Sequence, residues 1–298
     1  MAESTRAILP IIVLYNVPLA ESSTYRSLTA SMQLYGQNQP TIAVYDNSPI
    51  RQATEAEEKR LLTYRHDASN SGLAVAYNWA LEIAQSIGIP WLLLLDQDTE
   101  LPPNSFEISL RDARSYESDS EVVAIVPTVR SVKNLVSPMR VTRFGLKRLS
   151  KLAAGKQNTE IMAINSGALI RCLFLDSIGG FDNAYKLDFL DHWLFAQIRK
   201  ASKCAAISDL VIEHDLSVSN YRTKISLERY RSILSSEALF VREERAFWQR
   251  ALYPIHLLGR SLKQLLVYRA SAIAVHTISV AVQILAHPDR KGSISALK

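Results

Sequence analysis

The sequence predicts an α/β protein with a mostly parallel central sheet flanked by helices and a helical C-terminal extension. Three observations carry this. Short apolar runs alternate with segments of helical periodicity through the first 126 residues, joined by short polar links, as expected for parallel strands and crossover helices. One run, Trp91 to Leu95, is continuously apolar and too short for an independent helix, so it suits a strand covered on both faces. Beyond Ser226 the strand-like runs stop, and helical patterns rich in arginine and aromatic residues follow.

In order, Ile8 to Tyr15 reads as a buried strand, with Pro10 near its start, ending at Asn16. A helix follows from Ser22 or Ser23, with Tyr25, Leu28, Met32 and Tyr35 on one face and Gly36 as its stop. Thr41 to Tyr45 and Leu61 to Arg65 are short strands, ending in Asp46-Asn47-Ser48 and in a polar crest from His66 to Ser71. From Leu73 to Ile87 apolar residues recur at helical spacing, and Gly88 and Pro90 close the helix before the central strand. Val122 to Val126 is the next strand. Ile161 to Arg171 is a strand broken at Asn165-Ser166-Gly167, a helix opens near Leu187 and runs to about Ala201, and Ala205 to Glu213 leads to His214.

Composition limits the function classes. The 298 residues can bury a large core, and with nearly half of them apolar there is no signature of disorder. Cys172 and Cys204 lack metal-ligand spacing, fit a reducing cytosol and read as small core hydrophobes. No secretory signal is read at the N-terminus. The net charge of +5 is unevenly placed: from Val122 to Thr159 there are eight Lys or Arg and no acidic residue. From Arg222 onward 13 Lys and Arg face 5 Asp and Glu. Such zones suit an anionic partner or a solvated face.

The central run stops abruptly at Asp96 and Asp98, with Gln97 between them. Ligands of open α/β sheets bind beyond the carboxyl ends of strands, and two carboxylates there can hold a divalent cation that in turn holds a diphosphate. A strand ending in a plain polar turn is the competing reading. Asn16, Asp46, Asn70 and Asp96 all follow strands, so a parallel sheet gathers them along one edge. No Gly-x-Gly-x-x-Gly follows the first strand and no Gly-Lys-Ser or Gly-Lys-Thr occurs, which disfavours dinucleotide oxidoreductases and P-loop enzymes.

In this order the strand ending at Asn16, Asp46-Asn47-Ser48, the run Asn70-x-Gly72-x-Ala74-x-Ala76-x-Asn78, Leu-Leu-Leu-Asp96-Gln97-Asp98, and Asn165-Ser166-Gly167 followed by Gly179-Gly180-Phe181-Asp182 and Asp188 to Asp191 resemble inverting family 2 glycosyltransferases with the GT-A fold, rhamnosyltransferase-like members among them. The resemblance implies a catalytic domain over 1–225, with a nucleotide-binding half to about 126 and an acceptor half from 127. In the helical region, 226–298, helical patterns run over Ser226–Arg250 and Leu262–Ala286; Arg269 argues against a spanning helix, and the region reads as packed on the catalytic domain or a second subunit, with docking on an anionic inner leaflet as the alternative. The resemblance implies a donor site of Asn16, Asp46, Asn70, Asp96, Gln97 and Asp98, and a Mg²⁺ or Mn²⁺ ion at Asp98 with His214 nearby. Asp191 is the implied catalytic base with Asp188 as alternate, and Asn165, Ser166, Gly167 and Trp193 lie on the acceptor side. Where relatives carry Asp-x-x-Asp-x-Glu-Trp, this chain has Asp188-Phe-Leu-Asp191-His192-Trp193, one residue short and without the glutamate; Gln197, with Arg199 nearby, replaces an arginine.

The implied reaction moves a sugar, L-rhamnose from dTDP-L-rhamnose ahead of UDP-sugars, to a saccharide or polyprenyl-diphosphate-linked acceptor. It would serve bacterial surface polysaccharide such as O-antigen, in the cytoplasm or peripherally on the inner membrane, with no nucleic acid partner. Two other readings remain at this point. Asp96-Gln97-Asp98-Thr99 also resembles the motif of haloacid-dehalogenase-like phosphatases, although three strands precede it. A non-catalytic protein binding an anionic ligand would explain the charge but not the carboxylates at strand ends.

Overall fold

The structure is a computed structural model and describes residues 7–37, 41–131, 134–143, 145–148, 153–213 and 225–286. The chain forms two compact units, Met1–Asp215 and Leu216–Lys298.

The first unit runs β1 (Ile8–Leu14), a single 3-10 turn (Leu19–Glu21), α1 (Ser23–Leu34), β2 (Ala43–Asp46), α2 (Glu55–Glu58), β3 (Thr63–His66), α3 (Leu73–Ser86), β4 (Trp91–Asp96) and α4 (Ser105–Ser115). It continues with β5 (Val122–Ser131), β6 (Asn134–Ser137), β7 (Met139–Thr142), β8 (Gly145–Arg148), β9 (Gly155–Lys156), β10 (Ile161–Met162), β11 (Ala168–Arg171), α5 (Cys172–Ser177), α6 (Leu190–Lys200) and β12 (Cys204–Glu213). The main sheet has the order β3-β2-β1-β4-β11-β5-β12-β9, with β6 added on β5. Strands β1 to β4 are parallel, and β12 is parallel to β5. Between β4 and β5 runs β11, antiparallel to both.

All seven residues of β1 and the first five of β4 are buried, as strands covered by helices on both faces require. Each fully buried leucine there contributes about 1.5–3 kcal/mol of transfer free energy. Leu28 and Met32 of α1 and Phe106, Leu110 and Ala113 of α4 join this core. Helix α4 is an addition to the sequence reading; half of its buried face is polar, with Ser105, Ser109 and Asp112 beside those three apolar residues. The basic stretch is not a plain loop. It contains β6 and a small sheet, β10-β7-β8, on which Arg140, Arg143, Lys147 and Arg148 are exposed. Lys156 is engaged by Asp119 at 2.9 Å, and Lys133 and Lys151 lie outside the described residues.

The second unit holds α7 (Leu227–Glu244), α8 (Phe247–Leu266) and α9 (Ser271–Ala286). This corrects the two helical patterns read over Ser226–Arg250 and Leu262–Ala286: the chain breaks at Arg245 and Ala246, which take extended backbone angles without a glycine or proline to announce it, and again before Ser271. Tyr230, Leu234, Ala238, Tyr253, Leu257, Val280 and Ala281 form its core. Gln264 links Tyr230 and Thr277 in a buried polar cluster, with bonds of 2.8 and 2.9 Å. No described helix is long and apolar enough to cross a membrane.

Candidate active site

Parallel register aligns the strand ends. Leu14 pairs with Asp46, Asp46 with His66, and Val13 with Asp96, so the polar residues that follow share the carboxyl edge. There Asn16 donates its backbone N–H to the Ser48 hydroxyl at 2.7 Å. Asn16 and Asn70 both adopt left-handed backbone, at φ 54° and 51°, as does Phe189 at 64° on the loop entering α6. Non-glycine residues hold that conformation only where their surroundings fix it, and such positions cluster at functional sites.

Asp46 is fully buried. Its Oδ1 accepts from Ser48 N at 3.0 Å, and its Oδ2 accepts from Gln52 N at 2.8 Å and from the Tyr64 hydroxyl at short range. Three donors leave about one of the four acceptor positions of a carboxylate for a ligand. Burial, then the bond to Asp46, pushes the Tyr64 hydroxyl far up. Next to it, Asp67 caps the loop that presents Asn70: burial would raise its pKa, but bonds from Ser69, Ser71 and the Tyr45 hydroxyl hold the carboxyl well below the usual range.

The end of β4 is fastened from three sides. Gln97 turns back to β1, its Oε1 accepting from Tyr15 N at 2.7 Å and its Nε2 donating to Tyr15 O at 3.2 Å. Its side chain is thus spent on the backbone. The Thr24 hydroxyl contacts Asp96 O at 2.5 Å and accepts from Thr99 N at 2.8 Å. Ser166 donates to the Asp96 carboxylate. With both neighbours fixed, Asp98 stands exposed at the crest. The turn carrying Ser166 is held close: Gly167 N donates to Leu94 O at 2.8 Å, and a Cβ at Gly167, which has φ +82°, would lie 2.7 Å from Ile212.

Helix α6 brings the acceptor-half acids. Asp191 Oδ1 accepts from His192 N at 2.7 Å, and the rings of Phe189 and His192 stack with centroids 4.7 Å apart. Burial pushes the Asp191 carboxyl above its ordinary range; the charge of His192 opposes this and that of Asp188 adds to it. Trp193 is 7% exposed and packs near Phe181 and Tyr185, a core position beneath the crevice. On α3 lies the hydroxyl of Tyr77. It is fully buried and is pushed far above the usual phenol value by burial, then by the charges of Asp96 and Asp191. It has no hydrogen-bond partner among the described residues, and neither do Asn47 Oδ1, Thr99 Oγ1 or Asn165 Oδ1 on the segments that follow β2 and β4 and precede β11. Orphaned buried polar atoms are rare, and each calls for a partner such as water or a ligand. Tyr77 was hard to read from sequence, because a tyrosine on an otherwise apolar helix face looks like packing.

Among the described residues no group of three or more His, Cys, Asp or Glu could hold a metal unaided. The Asp96 and Asp98 pair nevertheless fits the mode in which one or two carboxylates share a divalent ion with substrate phosphates. His214 lies outside the described residues.

The carboxyl edge of an α/β sheet is where such folds bind their ligands. Residues 11–179, more than half of the chain, match the model of glycosyl transferase family 2. The chain belongs to this family, and its fold is GT-A; the phosphatase-like reading of Asp96 to Thr99 is set aside. No curated protein matches it. Similar solved structures include residues 1–349 of TarS from S. aureus, with 14% identity, 96% of this chain and 93% of that chain covered, and TM-score 0.49. Another is the mannosyltransferase PcManGT from Pyrobaculum calidifontis, solved in complex with GDP-Man and Mn²⁺, with 16% identity, coverage of 95% and 79%, and TM-score 0.49.

Proposed function

We propose that this glycosyltransferase moves L-rhamnose from dTDP-L-rhamnose, with UDP-sugars second, onto a saccharide carried by a polyprenyl diphosphate, inverting the anomeric carbon. The observation that carries the reading is the bond from the Ser166 hydroxyl, on the turn ahead of β11, to the Asp96 carboxylate at the end of β4. It joins the turn read as the acceptor side to a carboxylate read as the donor side.

Asp46 and Asn70 seat the nucleoside. Asp98, with Asp96 beside it, would hold Mg²⁺ or Mn²⁺ together with the donor phosphates, neutralising charge on the departing diphosphate. Ser166 holds Asp96 in place. The transfer passes through an oxocarbenium-like state, so the acceptor hydroxyl approaches from the face opposite the leaving group and needs a base there. Asp191 takes that proton, and its raised pKa suits it to general-base work nearer neutrality. Asp188 is the alternate base.

Thermal stabilisation by dTDP, UDP, GDP and CDP, with and without Mn²⁺, tests the reading, because a ligand bound by the native state raises stability by about 2.7 kcal/mol at a hundred times its Kd. Metal-dependent stabilisation led by dTDP is expected. UDP in the lead would replace the sugar, and no response to any nucleotide would overturn the assignment of the crevice.

A further inference from the structure

One face of α8 is apolar and turned to solvent. Leu252, Ile255, Leu258, Leu262 and Leu266 recur three or four residues apart, and between 39% and 73% of each is exposed. The opposite face, with Tyr253, Leu257, Ser261 and Gln264, is buried. At 1.5 Å per residue the exposed stripe is about 21 Å long. His256 and Lys263 follow it along one flank by helical geometry, both exposed, and the exposed Arg269 lies beyond its end. From Ala246 to Ala286 the chain has four Lys or Arg and no Asp or Glu. Of these cations Arg260 is taken up by Glu237 of α7, at 2.6 and 2.7 Å.

We propose that this face docks on an anionic lipid surface, the helix lying in the headgroup layer with its leucines turned toward the acyl chains. A helix with an exposed apolar stripe, a cationic flank and too little length and hydropathy to span has the physical character of an interfacial helix. The missing acidic residues decide between occupants. A second copy would bring the same cations to the interface with no carboxylate on α8 or α9 to pair them, whereas anionic headgroups supply the complement for Lys263 and Arg269. The inference does not depend on which sugar the enzyme transfers.

The test is flotation of the full chain with vesicles of phosphatidylcholine alone or mixed with phosphatidylglycerol. The full chain should float with the mixed vesicles and bind neutral ones about 25-fold more weakly, since Lys263 and Arg269 each count for roughly a fivefold change near the surface. Ile255→Asp combined with Leu262→Asp should abolish flotation while keeping the parent thermal midpoint, because both side chains are exposed. Lys263→Glu, a milder change, should weaken binding to the mixed vesicles alone. Equal binding by parent and double variant, or no binding to either vesicle, would overturn the proposal. So would sedimentation showing a dimer that the double variant dissociates, which would make this face a subunit interface.

Discussion

The hydroxyl of Ser166 donates to the carboxylate of Asp96, fastening the turn ahead of β11 to the end of β4. Ser166 is 3% exposed. Ser166→Ala should therefore lower stability by about 1 kcal/mol, the usual net worth of one hydrogen bond. It should lower kcat/KM by about tenfold or more through a displaced Asp96. Activity unchanged in Ser166→Ala would show that Asp96 needs no such support.

Asp98 is exposed, so Asp98→Asn should leave the thermal midpoint within the range of surface substitutions, about 0.5 kcal/mol. Its activity should fall by at least about a hundredfold. Sugar transfer at the normal rate by this variant in the presence of EDTA would end the metal-dependent reading.

Asp191 separates activity from stability. Its folded pKa is raised above the unfolded value, so the stability associated with its protonated form is present below the ordinary carboxylate range and is lost as pH rises through the folded value. Asp191→Asn keeps an oxygen for His192 N and removes the charge. Its thermal midpoint at neutral pH should rise, on the order of 2 °C, and the gain should vanish near about pH 4. Transfer should drop by about a hundredfold or more. In the parent, activity should decline on acidification through the raised pKa, and Asp188→Asn, by removing a like charge, should move that limb to lower pH. A limb that stays put in Asp188→Asn would take Asp191 out of the base role.

Gly72 precedes α3 at φ +99°, and a Cβ there would lie 2.4 Å from Lys186 O, which already accepts from Leu73 N at 2.6 Å. Gly72→Ala meets both backbone strain and a clash with backbone, and should cost about 2 kcal/mol or more. A urea unfolding midpoint equal to the parent's would mean that the 181–186 loop gives way easily.

The first half of the fold is legible because its signals are simple. Trp91 to Leu95 is a run that only a covered strand explains, and Ser22, Leu28, Met32 and Gly36 mark a helix from cap to stop. Asp96 and Asp98 stand out because the apolar run ends on them. The rest depends on tertiary placement. The strands β6 to β8 are short and half exposed, so no alternation sets them apart from a basic loop. The break at Arg245 and Ala246 carries no glycine or proline. Trp193 sits beside the acids in sequence yet turns into the core, because α6 presents Asp191 and Trp193 to different sides. Gln97 lies between two carboxylates, but its amide closes the gap to Tyr15.

Strand β11, reversed between β4 and β5, bears on how such an enzyme can diversify. Because β11 returns antiparallel beside β4, its leading turn delivers Asn165 to Gly167 to the same edge as Asp96, while between β5 and that turn β7, β8 and β10 form a small sheet of their own. That sheet is a module whose length and charge can be rewritten without touching the pairing of β1 to β4.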